Sequence, residues 1–195
     1  PIYSNVVAKE AMRDLMNDNQ RAATIIKTLR NMFGSGRKSI SPFNLNELVN
    51  EVLLLCKHKI TSNHIALKLM LHPTEITITG DKSQMQQVLL NLISNAIDAF
   101  SGKSTQQKRI TVCTSLNNDT AELTVTDNGV GIAPEISGSI FELLRTNKDD
   151  GMGVGLWLSR TIVESHQGTI SFETSATTGT TFRVVLPSTS DDLIY

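Results

Sequence analysis

Residues 127–156 read DNGVGIAPEISGSIFELLRTNKDDGMGVGL. The stretch opens with a D-x-G-x-G motif at 127–131, directly after a run typical of a β-strand. It closes with a G-x-G-x-G motif at 151–155, directly before a run typical of a helix. About twenty residues separate the two motifs, and loops of that length inside a compact domain are usually functional lids. The sequence therefore predicts a long lid with a glycine-rich hinge at each end.

The two hinges indicate the kind of ligand that the lid covers. Glycine reaches backbone conformations that other residues avoid, and it lets bare N–H groups come close to a ligand. The motif at 151–155 precedes a helix, whose N-terminus presents free N–H groups and about half a positive charge. A phosphate chain is the ligand that suits this end of the loop. Asp127, at the other end, indicates that the same ligand also carries a hydrogen-bond donor.

The overall composition excludes several classes of protein. The 195 residues allow one full domain and an appendage. A net charge of −1 without a polybasic cluster argues against a nucleic-acid or anionic-membrane surface. No apolar run approaches the roughly 18 residues that a membrane helix needs. Cys56 and Cys113 are interpreted as packed thiols, without a disulfide framework or a zinc site.

The first residue, Pro1, is not a methionine, and no signal peptide follows it. We therefore expect the chain to be part of a longer intracellular, cytoplasmic protein. Whether that parent protein is anchored in a membrane is left open.

An early helix is predicted over about 4–33. Its apolar positions repeat every three or four residues along one heptad seam that only Asp18 interrupts; they are Ala8, Ala11, Leu15, Ala22, Ile25, Leu29 and Met32. Such a seam needs a partner helix, and the polar, glycine-containing hinge at 34–39 favours a second copy of the chain as that partner. A helix packed on its own domain is the alternative. The predicted domains are 1–36 (dimerisation helix), 42–187 (main domain) and 188–195 (tail).

Helices and strands alternate through the main domain. Asn46 is the predicted N-cap of a helix ending near Lys59, and Asp81 with Gln84 forms a capping box for a helix over 81–100. A third helix is predicted over 153–166. Strands are predicted at 65–71, 75–79, 109–115, 121–126, 170–174 and 180–186. This order predicts an α+β fold, a two-layer sandwich with helices on one face of a mixed sheet.

The helix at 81–100 carries two stripes. The predicted core face comprises Met85, Val88, Leu89, Leu92, Ala96 and Ala99, and the polar stripe beside it comprises Gln84, Gln87, Asn91, Asn95 and Asp98. An amide oxygen can complete the octahedral oxygen shell of Mg²⁺ without adding negative charge beside a triphosphate. We therefore expect Asn95, one turn beyond Asn91, to be a metal ligand.

Five short motifs now follow one another along the chain: 91–96 (NLISNA), 127–131 (DNGVG), 141–142 (FE), 151–156 (GMGVGL) and 179–182 (GTTF). In this order they resemble the nucleotide-binding boxes of the GHKL ATPase superfamily. The chain is most similar to the sensor histidine kinases of two-component systems. Residues 42–187 resemble the catalytic domain, which has the Bergerat-type ATP-binding fold, and 4–33 resemble the second helix of the dimerisation and phosphotransfer hairpin.

The resemblance implies a Mg-ATP site. Asp127 would accept a hydrogen bond from the exocyclic amine of adenine, with a water held nearby by Thr180. Guanine places an acceptor there, and an unpaired buried carboxylate is costly, so ATP is favoured over GTP. The implied cofactor-binding residues are Asn91, Asn95, Asp98, Asp127, Gly129, Gly131, Ile132, Lys148, Gly151, Gly153, Val154, Gly155, Leu156 and Thr180, with Asn95 on the metal. Lys148 and Arg145 would be lid cations, and Phe141 would anchor the lid by packing.

The sequence departs from the sensor-kinase pattern in three places. Residues 141–144 read FELL where F-x-P-F is frequent, 146–148 read TNK where T-T-K is frequent, and Thr177 stands where a glycine is usual. These changes bear on how the lid closes. The four histidines, His58, His64, His72 and His166, lie outside the early helix and lack a following acidic residue. We expect the phospho-acceptor histidine to precede Pro1.

Three functions remain open at this point. The first is a protein-histidine kinase core that passes the γ-phosphoryl group of Mg-ATP to a histidine and, through it, to a response-regulator receiver domain. The second is a clamp ATPase, although such enzymes place a water-activating glutamate where Asn91 stands, and an amide cannot act as a base. The third is a regulator that binds nucleotide without transferring phosphate.

Overall fold

A computed structural model describes residues 12, 39–101, 107–144, 153–175 and 177–188. The chain divides between Arg37 and Lys38 into two units. Apart from Met12, the predicted early helix lies outside the described residues, as do most of the hinge at 34–39, the lid residues 145–152 and the tail beyond Ser188.

The second unit contains the elements that build the predicted main domain. Its helices are α1 (Leu45–Ser62), α2 (Lys82–Asp98), α3 (Pro134–Ser137) and α4 (Gly155–Ser165). Its strands are β1 (Ile40–Asn44), β2 (Ala66–Met70), β3 (Thr77–Asp81), β4 (Arg109–Asn117), β5 (Thr120–Asp127), β6 (Thr169–Ser175) and β7 (Gly179–Pro187). All the predicted helices and strands of this domain are present, with shifts of a few residues at their ends.

Five of the strands form one mixed sheet in the order β2-β4-β5-β7-β6, and β1 pairs with β3 in a separate antiparallel ribbon. The pairing of β2 with β4 is parallel, and the others are antiparallel. In β4, β5 and β7, buried residues alternate with more exposed ones, because one face of the sheet carries the helices and the other meets solvent. The predicted α+β sandwich with helices on one face is confirmed.

Helix α2 is the centre of the helical layer and packs against both α1 and α4. Asp81 caps its N-terminus, accepting hydrogen bonds from the backbone N–H groups of Ser83 and Gln84. The buried residues are Met85, Val88, Leu89, Leu92, Ile93, Ala96 and Ile97. Ile93 and Ile97 were not predicted to be buried, and Ala99, which was, is the C-cap and only partly buried. Cys56 of α1 is buried, and this burial raises the pKa of its thiol, as expected of a packed cysteine.

The predicted N-cap of α1 is wrong by two residues. Asn44 occupies the cap position, and its Oδ1 accepts from the N–H of Asn46 at 2.8 Å. The Asn46 side chain instead leaves the helix and donates to the carbonyl oxygens of His72 and Thr74, while its Oδ1 accepts from the buried hydroxyl of Thr114 at 2.6 Å. A long-range polar network thus competes with the local cap for this side chain.

Two features of the strands differ from the sequence pattern. Strand β1 was not predicted, and it starts at Ile40, ahead of the expected domain start at residue 42. Strand β2 was predicted from an alternation of apolar residues, but Leu67 and Leu69 are 38% and 43% exposed. They point to the same face as Ile110 and Val112 of β4 but lie on an edge strand, where the helices cover them only in part.

Candidate nucleotide-binding site

The centre of the site is a row of three polar side chains across neighbouring strands. Asp127 of β5 lies opposite Thr180 of β7, which in turn lies opposite Thr174 of β6. Asp127 and Thr180 are each only 3% exposed, although both are polar. The Oδ1 atom of Asp127 accepts from the N–H of Gly129 at 2.8 Å, and the hydroxyls of Thr174 and Thr180 are 3.1 Å apart. Buried polar groups of this kind usually serve a network or a ligand.

The loop that follows β5 is held against the end of α2. The N–H of Val130 donates to the carbonyl of Ala99 at 3.1 Å. A Cβ atom on Gly129 would lie 2.6 Å from both the Cβ and the carbonyl oxygen of Ala99, so this close approach requires glycine. Asn128 anchors the loop from the other side, since its Oδ1 accepts from the N–H of Arg109 at 2.7 Å. The predicted base-binding residues therefore lie on a fixed turn.

The polar stripe of α2 runs past both hinges of the lid. The Nδ2 of Asn91 donates to the carbonyl of Gly155 at 3.1 Å and lies 3.3 Å from the hydroxyl oxygen of Ser159, while Gln87 donates to its Oδ1 at 3.0 Å. Asn91 thus holds the first turn of α4, and Ala99, two turns further along α2, holds the loop at 129–130. Asn95 lies halfway between these contacts on the same side of the helix and is partly buried.

Three other predicted residues lie at the end of α2 and in the loop after β5. Asp98 is exposed at the last position of α2. Gly131 and Ile132 lie in the loop after β5, and the N–H of Ile132 donates to the hydroxyl of Thr174 at 2.8 Å.

Helix α4 presents its N-terminus to this region. Val154 occupies the N-cap position, where its apolar side chain makes no capping hydrogen bond. Val154 is buried, and Leu156 is partly buried and packs against the core. The first turn of the helix therefore offers N–H groups that its own N-cap side chain does not satisfy, as suits an anion.

The described part of the lid is anchored to the domain at two points. The N–H of Leu144 donates to the carbonyl of Gly153 at 3.0 Å. The ring of Phe141 makes an edge contact with Phe172 at 6.0 Å and lies under the guanidinium of Arg160. These contacts agree with the prediction that Phe141 anchors the lid by packing. Lys148 and Gly151, both predicted to bind phosphate, lie outside the described residues, as does Arg145.

Sequence reasoning missed three residues that shape this site: Thr174, Ala99 and Ser159. The sequence does indicate the direction of the Thr174 side chain, because residues 170, 172 and 174 alternate along the strand and lie on the same face of the sheet. Ala99 contributes its backbone carbonyl, which accepts from Val130, and a small side chain that lets Gly129 approach. Neither contribution can be recognised from the sequence. Ser159 is fully buried and its hydroxyl donates to the carbonyl of Gly155 at 2.9 Å, a partner four residues away on its own helix.

The described ranges contain no group of three or more His, Cys, Asp or Glu side chains placed to hold a metal ion. Within those same ranges, the helices are too short or too polar to cross a membrane.

Comparison with known proteins agrees with this geometry. Residues 80–190 match the family of histidine kinase-, DNA gyrase B-, and HSP90-like ATPases. The chain is 34% identical over 182 residues to the sensor histidine kinase TmoS of Ectopseudomonas mendocina, covering 92% of this chain and 19% of that protein. It is 33% identical over 172 residues to the sensor protein FixL of Bradyrhizobium diazoefficiens, covering 88% and 34%. The chain thus spans only about a fifth to a third of these relatives.

Solved structures show the same relationship. The nucleotide-free catalytic domain of the histidine kinase ThkA matches with a TM-score of 0.69 at 29% identity, covering 78% of this chain and 99% of that chain. ThkA in complex with the response regulator protein TrrA matches with a TM-score of 0.73 at 27% identity, covering 89% and 49%. This chain belongs to the family of histidine kinase-, DNA gyrase B- and HSP90-like ATPases and carries the ATP-binding domain typical of sensor histidine kinases.

Proposed function

We propose that the domain is the catalytic core of a protein-histidine kinase. It would bind Mg-ATP and position the γ-phosphoryl group for transfer to a histidine outside this chain, from which a response-regulator receiver domain would take it. The relatives named as sensor histidine kinases and the ThkA–TrrA complex support this function. The protein's part in such a transfer is positioning and charge neutralisation.

Adenine would bind at the buried end of the site. Asp127 would accept from the exocyclic amine; it is buried, and Thr180 lies beside it on the neighbouring strand. The fixed turn at 129–132 would line the base and the ribose, through Gly129, Gly131 and Ile132. The phosphates would then extend towards the N-terminus of α4 and towards the lid. Lys148, in the lid sequence, is the predicted phosphate-binding cation.

The proposed position of Mg²⁺ is beside Asn95. Mg²⁺ usually keeps several waters and takes few protein ligands besides the substrate phosphates, so one amide oxygen is a fitting donor. Asn95 lies on α2 between the contacts that fix the two hinges, which is where the phosphates would pass. When bound, the ion neutralises charge on the phosphate oxygens. Asn95 would supply an oxygen ligand, and Asn91 would keep the first turn of α4 in place.

The environment of Asn91 is the observation that favours phosphoryl transfer over hydrolysis. Clamp ATPases need a carboxylate at this position to activate water. Here the Asn91 amide donates to the carbonyl of Gly155 and so fixes the first turn of α4. A carboxylate would place a second acceptor against that carbonyl. The geometry therefore supports a site that binds ATP but does not itself supply the nucleophile, which would be a histidine outside this chain.

We expect the 195-residue chain to hydrolyse ATP very slowly and not to phosphorylate itself. Positioning an in-line nucleophile can supply about 7–11 kcal/mol of a reaction barrier, and the bound nucleotide lacks that contribution without its acceptor. The test uses γ-labelled ATP with the chain alone and with an upstream helical hairpin restored. Acid-labile, base-stable label should appear only in the longer protein. Fast hydrolysis by the shorter chain would indicate a clamp ATPase, and an unlabelled longer protein that folds, binds ATP and carries its histidine would indicate a nucleotide-binding regulator.

We further infer that the predicted helix over 4–33 drives dimerisation, because its heptad seam needs a partner helix. Sedimentation should show residues 1–195 as a dimer at tens of micromolar and residues 39–195 as a monomer. The shorter chain starts at Ser39 so that β1, which begins at Ile40, stays intact. Two monomers would contradict the inference, and two dimers would assign the interface to the ATP-binding domain.

A further inference from the structure

Thr174 joins the two sides of the base-binding region, although no sequence motif includes it. Its Oγ1 accepts from the N–H of Ile132, in the loop after β5, at 2.8 Å. The same oxygen lies 3.1 Å from the Oγ1 of Thr180 and 3.4 Å from the carbonyl oxygen of Gly179. Thr174 is partly buried, and Thr180 is buried. A single hydroxyl therefore connects the turn that lines the base to the residue beside Asp127.

Two arrangements of these hydrogen bonds are open, because either threonine hydroxyl can donate to the other. A threonine hydroxyl has one proton to donate and two lone pairs that accept. The N–H of Ile132 occupies one lone pair of Thr174. Of the two acceptors in reach of the Thr174 proton, the hydroxyl of Thr180 is nearer than the carbonyl of Gly179. In one arrangement Thr174 donates to Thr180, which leaves the proton of Thr180 available to a ligand; in the other, Thr174 donates to Gly179 and accepts from Thr180.

The polarity of Thr180 matters because purines differ at the same edge. Adenine presents an amine donor at C6 and an acceptor at ring nitrogen N1, whereas hypoxanthine and guanine present a carbonyl at C6 and an N1–H donor. A carboxylate at Asp127 suits the amine. A hydroxyl that contacts N1 directly as a donor suits the N1 acceptor of adenine and is mismatched with an N1–H group.

We propose that Thr174 is a positioning residue for base selection, which holds the hydroxyl of Thr180 as a donor towards N1 of adenine. The inference rests on the adenine site proposed above. Thr174 acts through Thr180 and does not itself contact the base.

The test compares the binding of ADP and of inosine diphosphate (IDP) to the 195-residue chain by calorimetry. Thr174→Val keeps the shape but removes the hydroxyl, so Thr180 can turn and either donate or accept. The ratio of ADP to IDP affinity should fall by about 3- to 10-fold, the equivalent of one modest hydrogen bond. Thr174→Ser, which retains the hydroxyl, should keep the ratio within about 2-fold of the wild-type value.

Thr181→Val is the matched control. The Thr181 hydroxyl is 3.0 Å from that of Thr126, on the opposite face of the same sheet, so removing it deletes a comparable pair away from the base. This variant should leave the ratio unchanged. A second comparison introduces Thr174→Val into Thr180→Val protein, where the ratio should no longer respond, because the residue acts through Thr180.

Equal weakening of ADP and IDP by Thr174→Val would overturn the inference, since it would show a merely structural role. So would a change in the ratio that persists in the Thr180→Val background. A wild-type chain that binds neither nucleotide would refute the proposed function together with this inference. Wild-type selection of ADP with no effect of Thr174→Val would refute this inference alone.

Discussion

Asp127→Asn should weaken ADP binding by about 10- to 150-fold, since a hydrogen bond to a charged group is worth about 1.5–3 kcal/mol. Asp127 is 3% exposed, so its carboxylate has little water to replace a lost partner. The amide can still accept from the N–H of Gly129 through its oxygen. Its NH₂ group, however, would present a donor to the amine of adenine. Calorimetric titration of both proteins with ADP measures the effect, and an affinity within twofold of wild type would refute the assigned role.

Glu122→Gln is the control for this substitution. Glu122 lies on the same strand as Asp127 but on the opposite face, where it forms an ion pair with Arg183 at 2.8 Å. The change removes the same unit of negative charge without touching the site. We expect ADP affinity to stay within about twofold, because exposed ion pairs contribute little. Equal weakening by both variants would mean that net charge, and not base contact, explains the result.

Gly179→Ala should lower the free energy of unfolding by about 2–5 kcal/mol, combining positive-φ strain with overpacking. Gly179 has a φ of 89°, and a Cβ atom there would lie 2.1 Å from the carbonyl oxygen of Asp127. The next contact is the Cα of Asn128 at 2.7 Å. Both are backbone atoms at the end of β5, so neither can move without shifting the site. Urea unfolding measures the loss, and a change below about 1 kcal/mol would contradict this explanation.

Gly138→Ala is the matched control. Gly138 follows α3 with a φ of −69°, and a Cβ atom there meets nothing within 4 Å. The substitution should be neutral or stabilising by up to about 1 kcal/mol, because it reduces the freedom of the unfolded chain. A large loss at Gly138 would show that alanine in this region destabilises for some reason other than backbone contact.

The contents of the candidate site were only partly predictable. Asp127 and Thr180 were found because each lies in a short motif whose residue types have a clear use. Asn91 was found by its helical spacing, but its partner, the carbonyl of Gly155, was not, since 64 residues separate them. Thr174 was missed although its position in β6 puts it on the same face as Ile170 and Phe172, because only its neighbours across the sheet show what its hydroxyl contacts.

The sequence by itself determined the elements of the domain other than β1, and the residue types in its boxes. Asp81 caps α2 through N–H groups two and three residues away, and the strands alternate with a period of two, so both signals are local. Only the tertiary structure decided which competing partner each polar side chain takes. The Asn46 side chain bonds to Thr114 and to the carbonyl of His72 rather than capping its helix, and Thr174 joins the candidate site through Ile132 and Thr180. Such contacts depend on how the sheet and helices pack, which no local pattern encodes.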